Sequence, residues 1–297
     1  MAQRNRWTLL LFLGPFLVFF ILFHATSLIG GAVISFTEFP LLGEVKFVGF
    51  DNYMRALTDP IFMRALQNTL IYVLGIVPLF VLSMLAALAI HRTAKGKRLF
   101  RTVLFMPYVI PMAVHGFIFT FMYQPKNGVL GAIFKTFGWN EWVNIGVMTK
   151  TTTAILGVMF VWVYIYLGYM MSILYTGLQD IPNSYYEAAM IDGAGKVRSF
   201  FSITLPLLSN VLVYVAVTGI ILSFQIFPLV WTLTGSGMGM GAGGPAYSTM
   251  SMDLYIYQSA FRDQSLGYAS AMGFLMLIVT FVLATIPFKL IKEVRYD

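Results

Sequence analysis

The sequence predicts an all-α integral membrane protein with six transmembrane helices, and three observations carry that prediction. Of 297 residues, 59% are hydrophobic and only 10% are charged, and the mean hydropathy is +0.80. Soluble domains are about one quarter charged, because a monomeric surface needs that charge to stay in water. Six separate stretches are each long and apolar enough to cross a bilayer. The basic residues collect in alternate connecting loops, which predicts an orientation.

A hydrocarbon core of about 30 Å needs about 20 apolar residues per helix, and residues 7–29, 69–90, 102–122, 152–174, 211–231 and 267–288 meet that length. None of the six contains Asp, Glu, Lys or Arg. The first follows Arg4 and Arg6 in the manner of a secretion signal, but it outruns a signal core and lacks a small-residue cleavage site, so it reads as retained. Pro78, Pro107, Pro111 and Pro228 lie inside spans and predict kinks, with neighbouring groups satisfying the freed carbonyls. The whole chain, 1–297, reads as one transmembrane domain without a soluble module, linker or internal repeat.

The loop HRTAKGKRLFR holds Arg92, Lys95, Lys97, Arg98 and Arg101, and the positive-inside rule assigns it to the cytoplasm. Both termini and the loop at 175–209 then face the cytoplasm too. The overall charge of +7 is therefore a topology signal and not a nucleic-acid footprint. The outer loops are longer, and NGVLGAIFKTFGW in one of them has the pattern of an interfacial helix. Zero cysteines exclude disulfides, thiol nucleophiles and Cys-ligated metals. No His, Asp and Glu spacing suggests zinc, so no metal site is expected. His24 and His115 sit in spans, where a lone His more often bonds a helix carbonyl or lines a cavity than binds metal.

The predicted inner loop contains NSYYEAAMIDGAGKVRSFFSITLPLL, a small-residue, mixed-charge interruption without catalytic chemistry. Ser184 and Glu187 have capping-box spacing, predicting a helix start at Ser184. Gly193 suits the end of that helix, since a left-handed residue other than Gly costs about 1–2 kcal/mol. A second short helix, KVRSFFSIT, then leads to Pro206 at the start of the fifth span. Ala188, Ala189 and Ala194 allow close approach, with Glu187, Asp192, Lys196 and Arg198 beside them. The residues alone leave two readings open: a docking surface, or a plain connection in which Glu187 only caps its own helix.

Glu187-Ala188-Ala189, then Gly193, Ile203 and Leu205-Pro206, resembles the EAA loop of permease subunits of binding-protein-dependent ABC importers. FVGFDNYMRAL, MPYVIP, GGPAYSTMSMDLYIYQSAF and LGYASAMGF extend the likeness over nearly the whole chain, toward the carbohydrate branch with maltose and glycerol-phosphate permeases. The resemblance implies a non-enzymatic subunit forming half of a translocation pathway. It implies as partners a second permease subunit, two cytoplasmic ATPase subunits and an extracytoplasmic solute-binding protein. ATP and Mg belong to the ATPases, and this chain carries no cofactor. The resemblance further implies that the loop is a coupling helix, in which Glu187 would meet a basic ATPase residue, Ala188 and Ala189 would permit close packing, Asp192 would lie at the contact and Gly193 would set the turn. Leu205 and Pro206 orient the return into the membrane.

For a sugar-sized solute, aromatic faces pack on C–H surfaces while hydroxyls and amides exchange hydrogen bonds. Tyr169, Ser223 and Gln225, with Tyr166 next, are the candidates for the pathway. Interhelical bonding or interfacial anchoring is the bland alternative for them, and for Tyr164. The formal G-x-G-x-x-G match GMGAGG is discounted, because no strand precedes it. The Gly-Met run there departs from the family pattern. A secondary transporter or channel acting alone is the rival function, although carriers of that kind commonly place carboxylates in the membrane. The substrate stays open among monosaccharides, oligosaccharides, polyols and glycerol phosphate esters.

Overall fold

In the computed structural model, residues 2–40, 44–92, 95–235 and 242–291 are described. Four of its helical stretches are long and apolar enough to cross a membrane: Leu11–Ser35, Pro60–His91, Thr151–Gln179 and Leu266–Leu290. Two bent pairs, Lys97–Val109 with Met112–Met122 and Lys196–Leu207 with Ser209–Ser223, raise the number to six if each pair is one span. The chain is therefore a multi-helix membrane protein. By packing, the chain divides into two compact units.

The first unit takes residues 1–60 and 256–277. Helix α1 (Ala2–Phe19) passes through a wide π turn, Phe20–Ala25, into α2 (Thr26–Ser35). Strands β1 (Thr37–Glu38) and β2 (Lys46–Phe47) follow, antiparallel, with Thr37 opposite Phe47, and then α3 (Asp51–Thr58). The buried Asn52 amide donates to the carbonyls of Ser35 and Thr37, both at 2.9 Å, and so pins α3 to the chain entering the hairpin.

The second unit takes residues 61–255 and 278–297. It contains α4 (Pro60–Leu74), most of which lies here, and α5 (Ile76–Arg92), followed by α6 (Lys97–Val109) and α7 (Met112–Met122). The expected third span, 102–122, is not one helix. Proline forces its predecessor into extended backbone, Ile110 has φ −78° and ψ 133°, and α6 and α7 meet at 94°. Pro111 has no N–H for the Pro107 carbonyl, and His115 Nε2 donates to that carbonyl at 2.8 Å. His115 is thus the helix-carbonyl partner that a lone intramembrane His suggests.

Short helices α8 (Val129–Thr136) and α9 (Asn140–Ile145) precede α10 (Thr151–Gln179). The first matches the amphipathic NGVLGAIFKTFGW pattern. Helix α10 is the axis of the unit, with Val158, Val161, Trp162, Met170, Met171 and Leu174 fully buried. Gly168 makes the crossing with α6 possible, because a Cβ there would lie 1.9 Å from the Leu104 carbonyl oxygen.

After α11 (Asn183–Ile191), α12 (Lys196–Ser199), a π turn at Phe200–Thr204 and α13 (Leu205–Leu207), the chain turns at Leu208 into α14 (Ser209–Ser223). The fifth span, 211–231, breaks where Pro228 predicts a kink: its helix stops at Ser223 and resumes as α15 (Phe227–Val230), with Pro228 in the first turn. In a continuous helix the Pro228 ring would clash with the Phe224 carbonyl, so the ladder breaks before it. Helix α16 (Met252–Tyr257) and α17 (Leu266–Leu290) complete the chain, and α17 contributes to both units. Residues 239–241 of the GMGAGG match and most of the Gly-Met run lie outside the described residues.

Candidate functional site

Two regions of the second unit hold the candidate residues. In the first, α11 starts one residue before the expected cap. Its N-cap position is Pro182, without a side-chain cap bond, so Ser184 falls inside the first turn and the capping box does not form. Pro182, at φ −61° and ψ 136°, supplies the extended entry itself. The other end is closed as Gly193 suggests, with φ +75°. Its N–H donates to Met190 O at 3.1 Å, and Ala194 N–H donates to Ala189 O at 2.8 Å. These two bonds make a Schellman motif.

The loop is a two-armed hairpin tied at its base by a 3.0 Å bond between the Tyr186 hydroxyl and Thr204 Oγ1. Ala189 is buried against the hairpin, while Glu187, Ala188 and Asp192 are exposed. Leu205 and Pro206 are half-buried at the return. Around the turn the tip is apolar, with Ile191 87% and Val197 72% exposed. Lys196 and Arg198 are exposed on the second arm, and among the described residues none of the four charged side chains has an ion-pair partner. An exposed apolar tip rimmed by unpaired charges of both signs has the character of a protein contact surface.

The second region lies between α6, α10 and α14. Tyr169 stacks on Tyr108 at 4.5 Å and 15°, and its hydroxyl is 3.4 Å from that of Tyr214. Tyr166 is buried behind them, 5.8 Å from Tyr108 and 5.3 Å from Trp162. Tyr169 lines a cleft of about 550 Å³ with Thr176, Asp180, Asn210 and Tyr214 among its other walls. Tyr164, by contrast, packs edge-on against His115 at 5.7 Å.

Ser223 and Gln225 are not walls of that cleft. Ser223 is fully buried and donates to its own helix carbonyl, Ile220 O, at 2.7 Å. The last turn of α14 thus satisfies the hydroxyl within its own helix. Gln225 is exposed in the break between α14 and α15. Sequence reasoning missed Tyr108, Asn210 and Tyr214. Tyr108 was visible inside MPYVIP, but only the crossing at Gly168 brings α6 against α10. Among the described residues no cluster of His, Asp and Glu has the makings of a metal site.

A helical chain with four to six stretches long and apolar enough to cross a membrane, an exposed helical hairpin and a tyrosine-lined cleft between its helices has the make-up of a multi-pass membrane transport component. The sequence matches the family described as binding-protein-dependent transport system inner membrane component over residues 79–295, and the chain belongs to that family. It is 34% identical to the probable ABC transporter permease protein YurN of Bacillus subtilis (strain 168), over 98% of each chain. It is 28% identical to the sn-glycerol-3-phosphate transport system permease protein UgpA of Escherichia coli (strain UTI89 / UPEC), over 99% of this chain and 97% of that one. The fold matches a chain of the bacterial alginate ABC transporter in complex with its alginate pentasaccharide-bound periplasmic protein. That match has a TM-score of 0.79 at 20% identity and covers 96% and 93% of the two chains. The chain is thus an inner membrane component of a transport system, a permease.

Proposed function

We propose that this chain forms half of the translocation pathway of an ATP-driven importer for a sugar or a related polyol or phosphoester. A second permease subunit completes the pathway, two cytoplasmic ATPase subunits carry ATP and Mg, and an extracytoplasmic binding protein delivers the solute. The observation that carries this reading is the 183–206 hairpin. A membrane subunit without its own nucleotide site needs a rigid, shape-complementary peg to receive work from an ATPase, and the Gly193 turn with its exposed apolar tip is such a peg. Glu187 would pair with a basic ATPase residue, Ala188 and Ala189 would let the partner approach, and Asp192 would lie at the rim. Leu205 and Pro206 would carry the movement into α14. Six spans, with both termini cytoplasmic, put the hairpin on the ATPase side.

In the pathway, Tyr169 with Tyr166 behind it, joined by Tyr108 and Tyr214, offers aromatic faces and hydroxyls to a polyhydroxylated solute. Gln225 adds an amide at the helix break. The names of the relatives, which concern glycerol phosphate and alginate, agree with that solute class. The test is gentle purification of the tagged chain followed by identification of what accompanies it. An ATPase subunit and a second permease are expected, and ATP-independent uptake by the chain alone would return the rival, a stand-alone transporter.

A further inference from the structure

The break that exposes Gln225 is held from outside its own helix. Oδ2 of Asp253, at the start of α16, accepts the N–H of Phe227 at 2.5 Å. Its Oδ1 accepts the Ser251 hydroxyl at 2.5 Å and the Leu254 N–H at 2.8 Å. The segment carrying Asp253 is itself strapped to α4. Asn68 Nδ2 donates to Met250 O at 2.9 Å, the Tyr72 hydroxyl to Thr249 O at 3.0 Å, and Met252 N–H to Thr69 Oγ1 at 3.0 Å. Among the described residues no Lys or Arg pairs with Asp253. The titratable group electrostatically coupled to it is Tyr72.

A carboxylate packed against protein without a counter-ion is costly, and it persists where its bonds do something a neutral residue does less well. Each of its three bonds joins the outer segment to itself or to the restart of the fifth span. Phe224 and Gln225 close onto α14 through bonds to Ile221 O and Leu222 O, both 3.2 Å. On the far side of the turn it is Asp253 that takes the Phe227 N–H, so the two ends of the turn are held by different segments.

We propose that Asp253 is a positioning residue for transport: by accepting the Phe227 N–H it holds the 224–226 turn in one shape, presents Gln225 to the solute, and links that turn to the outer segment at 243–254. This rests on the reading of Gln225 as part of the pathway. The link gives a protein docking on the outer face a direct mechanical route to a solute-contacting side chain.

The chain has no cysteine, so Gln225→Cys supplies a single thiol whose rate with a soluble maleimide reports the turn. The rate is measured in the detergent-purified assembly and normalised to Phe47→Cys, at a site 80% exposed. Adding Asp253→Ala should change the normalised rate by about ten-fold, the scale of one charge-assisted hydrogen bond. Asp253→Asn keeps an acceptor oxygen without the charge and should match the low-pH rate of the parent, while Ser251→Ala should fall between the parent and Asp253→Ala. Between pH 5 and 7.5 the parent rate should step near pH 6, and the Asn variant should be flat. Burial supports that window, pushing the carboxyl from 3.8 to about 6 against the opposing hydrogen bonds.

An unchanged rate in Asp253→Ala would overturn the proposal. If that variant fails to assemble, an unchanged rate in Ser251→Ala together with a pH-flat parent would overturn it as well. The pathway reading fails separately. In that case Gln225→Ala would leave uptake unaltered across a panel of radiolabelled sugars, polyols and glycerol phosphate esters, while labelling still responded to Asp253.

Discussion

The 183–206 hairpin and the Tyr169 cleft are built by opposite means. The hairpin is local: its turn, closure and exposed tip come from residues within about twenty positions of each other, and the Schellman bonds at Gly193 span five residues. The cleft is assembled from α6, α10 and α14, and its defining contact joins residues 45 apart in sequence, Tyr169 and Tyr214. A rigid local unit can pass on movement without changing shape, whereas a site shared between helices changes shape whenever those helices move. That contrast suits one region to coupling and the other to binding and release.

Sharp tests should separate the two. The largest effect is expected from Glu187→Lys. Reversing charge at a desolvated contact costs several kcal/mol, so uptake should drop by at least about 100-fold, with membrane insertion unchanged by protease accessibility. If both Glu187→Lys and Glu187→Gln transport normally, the hairpin has no charged contact there. Gly193→Val comes next. A β-branched residue at φ +75° costs about 1–2 kcal/mol or more, and uptake should fall about ten-fold as the turn opens. Normal ATPase co-purification and uptake in that variant would show that the turn tolerates strain.

Changes in the cleft should alter solute dependence more than assembly. Tyr169→Ala should raise the half-saturating solute concentration several-fold, about the value of one aromatic contact, with basal ATP hydrolysis intact. Equal loss of both would make Tyr169 a packing group. A smaller effect is expected on stability against pH. The Asp253 carboxyl titrates higher in the folded chain than its ordinary 3.8, so its favourable contribution is complete below about pH 4 and is lost as pH rises through about 6. The thermal midpoint of the assembly should show that decline, and Asp253→Asn should remove it. Ser223→Ala should do least, because its hydroxyl only returns to Ile220.

What the sequence made legible follows the same division. Apolar length located the helices, since insertion depends on composition and not on partners, and Gly193 was readable because only its own backbone is at issue. Pro111 announced a kink, but the 94° angle between α6 and α7 depends on where α7 packs. Ser184 and Glu187 misled because Pro182 supplies the helix entry without a capping side chain. Tyr169 of the cleft, and Tyr166 buried behind it, were chosen from chemical type and position. Tyr108, Asn210 and Tyr214 needed a register between helices that no spacing in the sequence encodes. Ser223 was chosen on the same grounds as Tyr169, and its hydroxyl is bonded within its own helix.

If this chain moves solute only when an ATPase engages the 183–206 hairpin, uptake into proteoliposomes by the co-purified assembly with binding protein present will show it, comparing parent with Glu187→Lys, each with and without enclosed or external ATP. Uptake by the parent should depend on ATP and Glu187→Lys should take up none, although both hold the same subunits. Uptake by the chain without ATPase and ATP, or ATP-dependent uptake undiminished in Glu187→Lys, would contradict it.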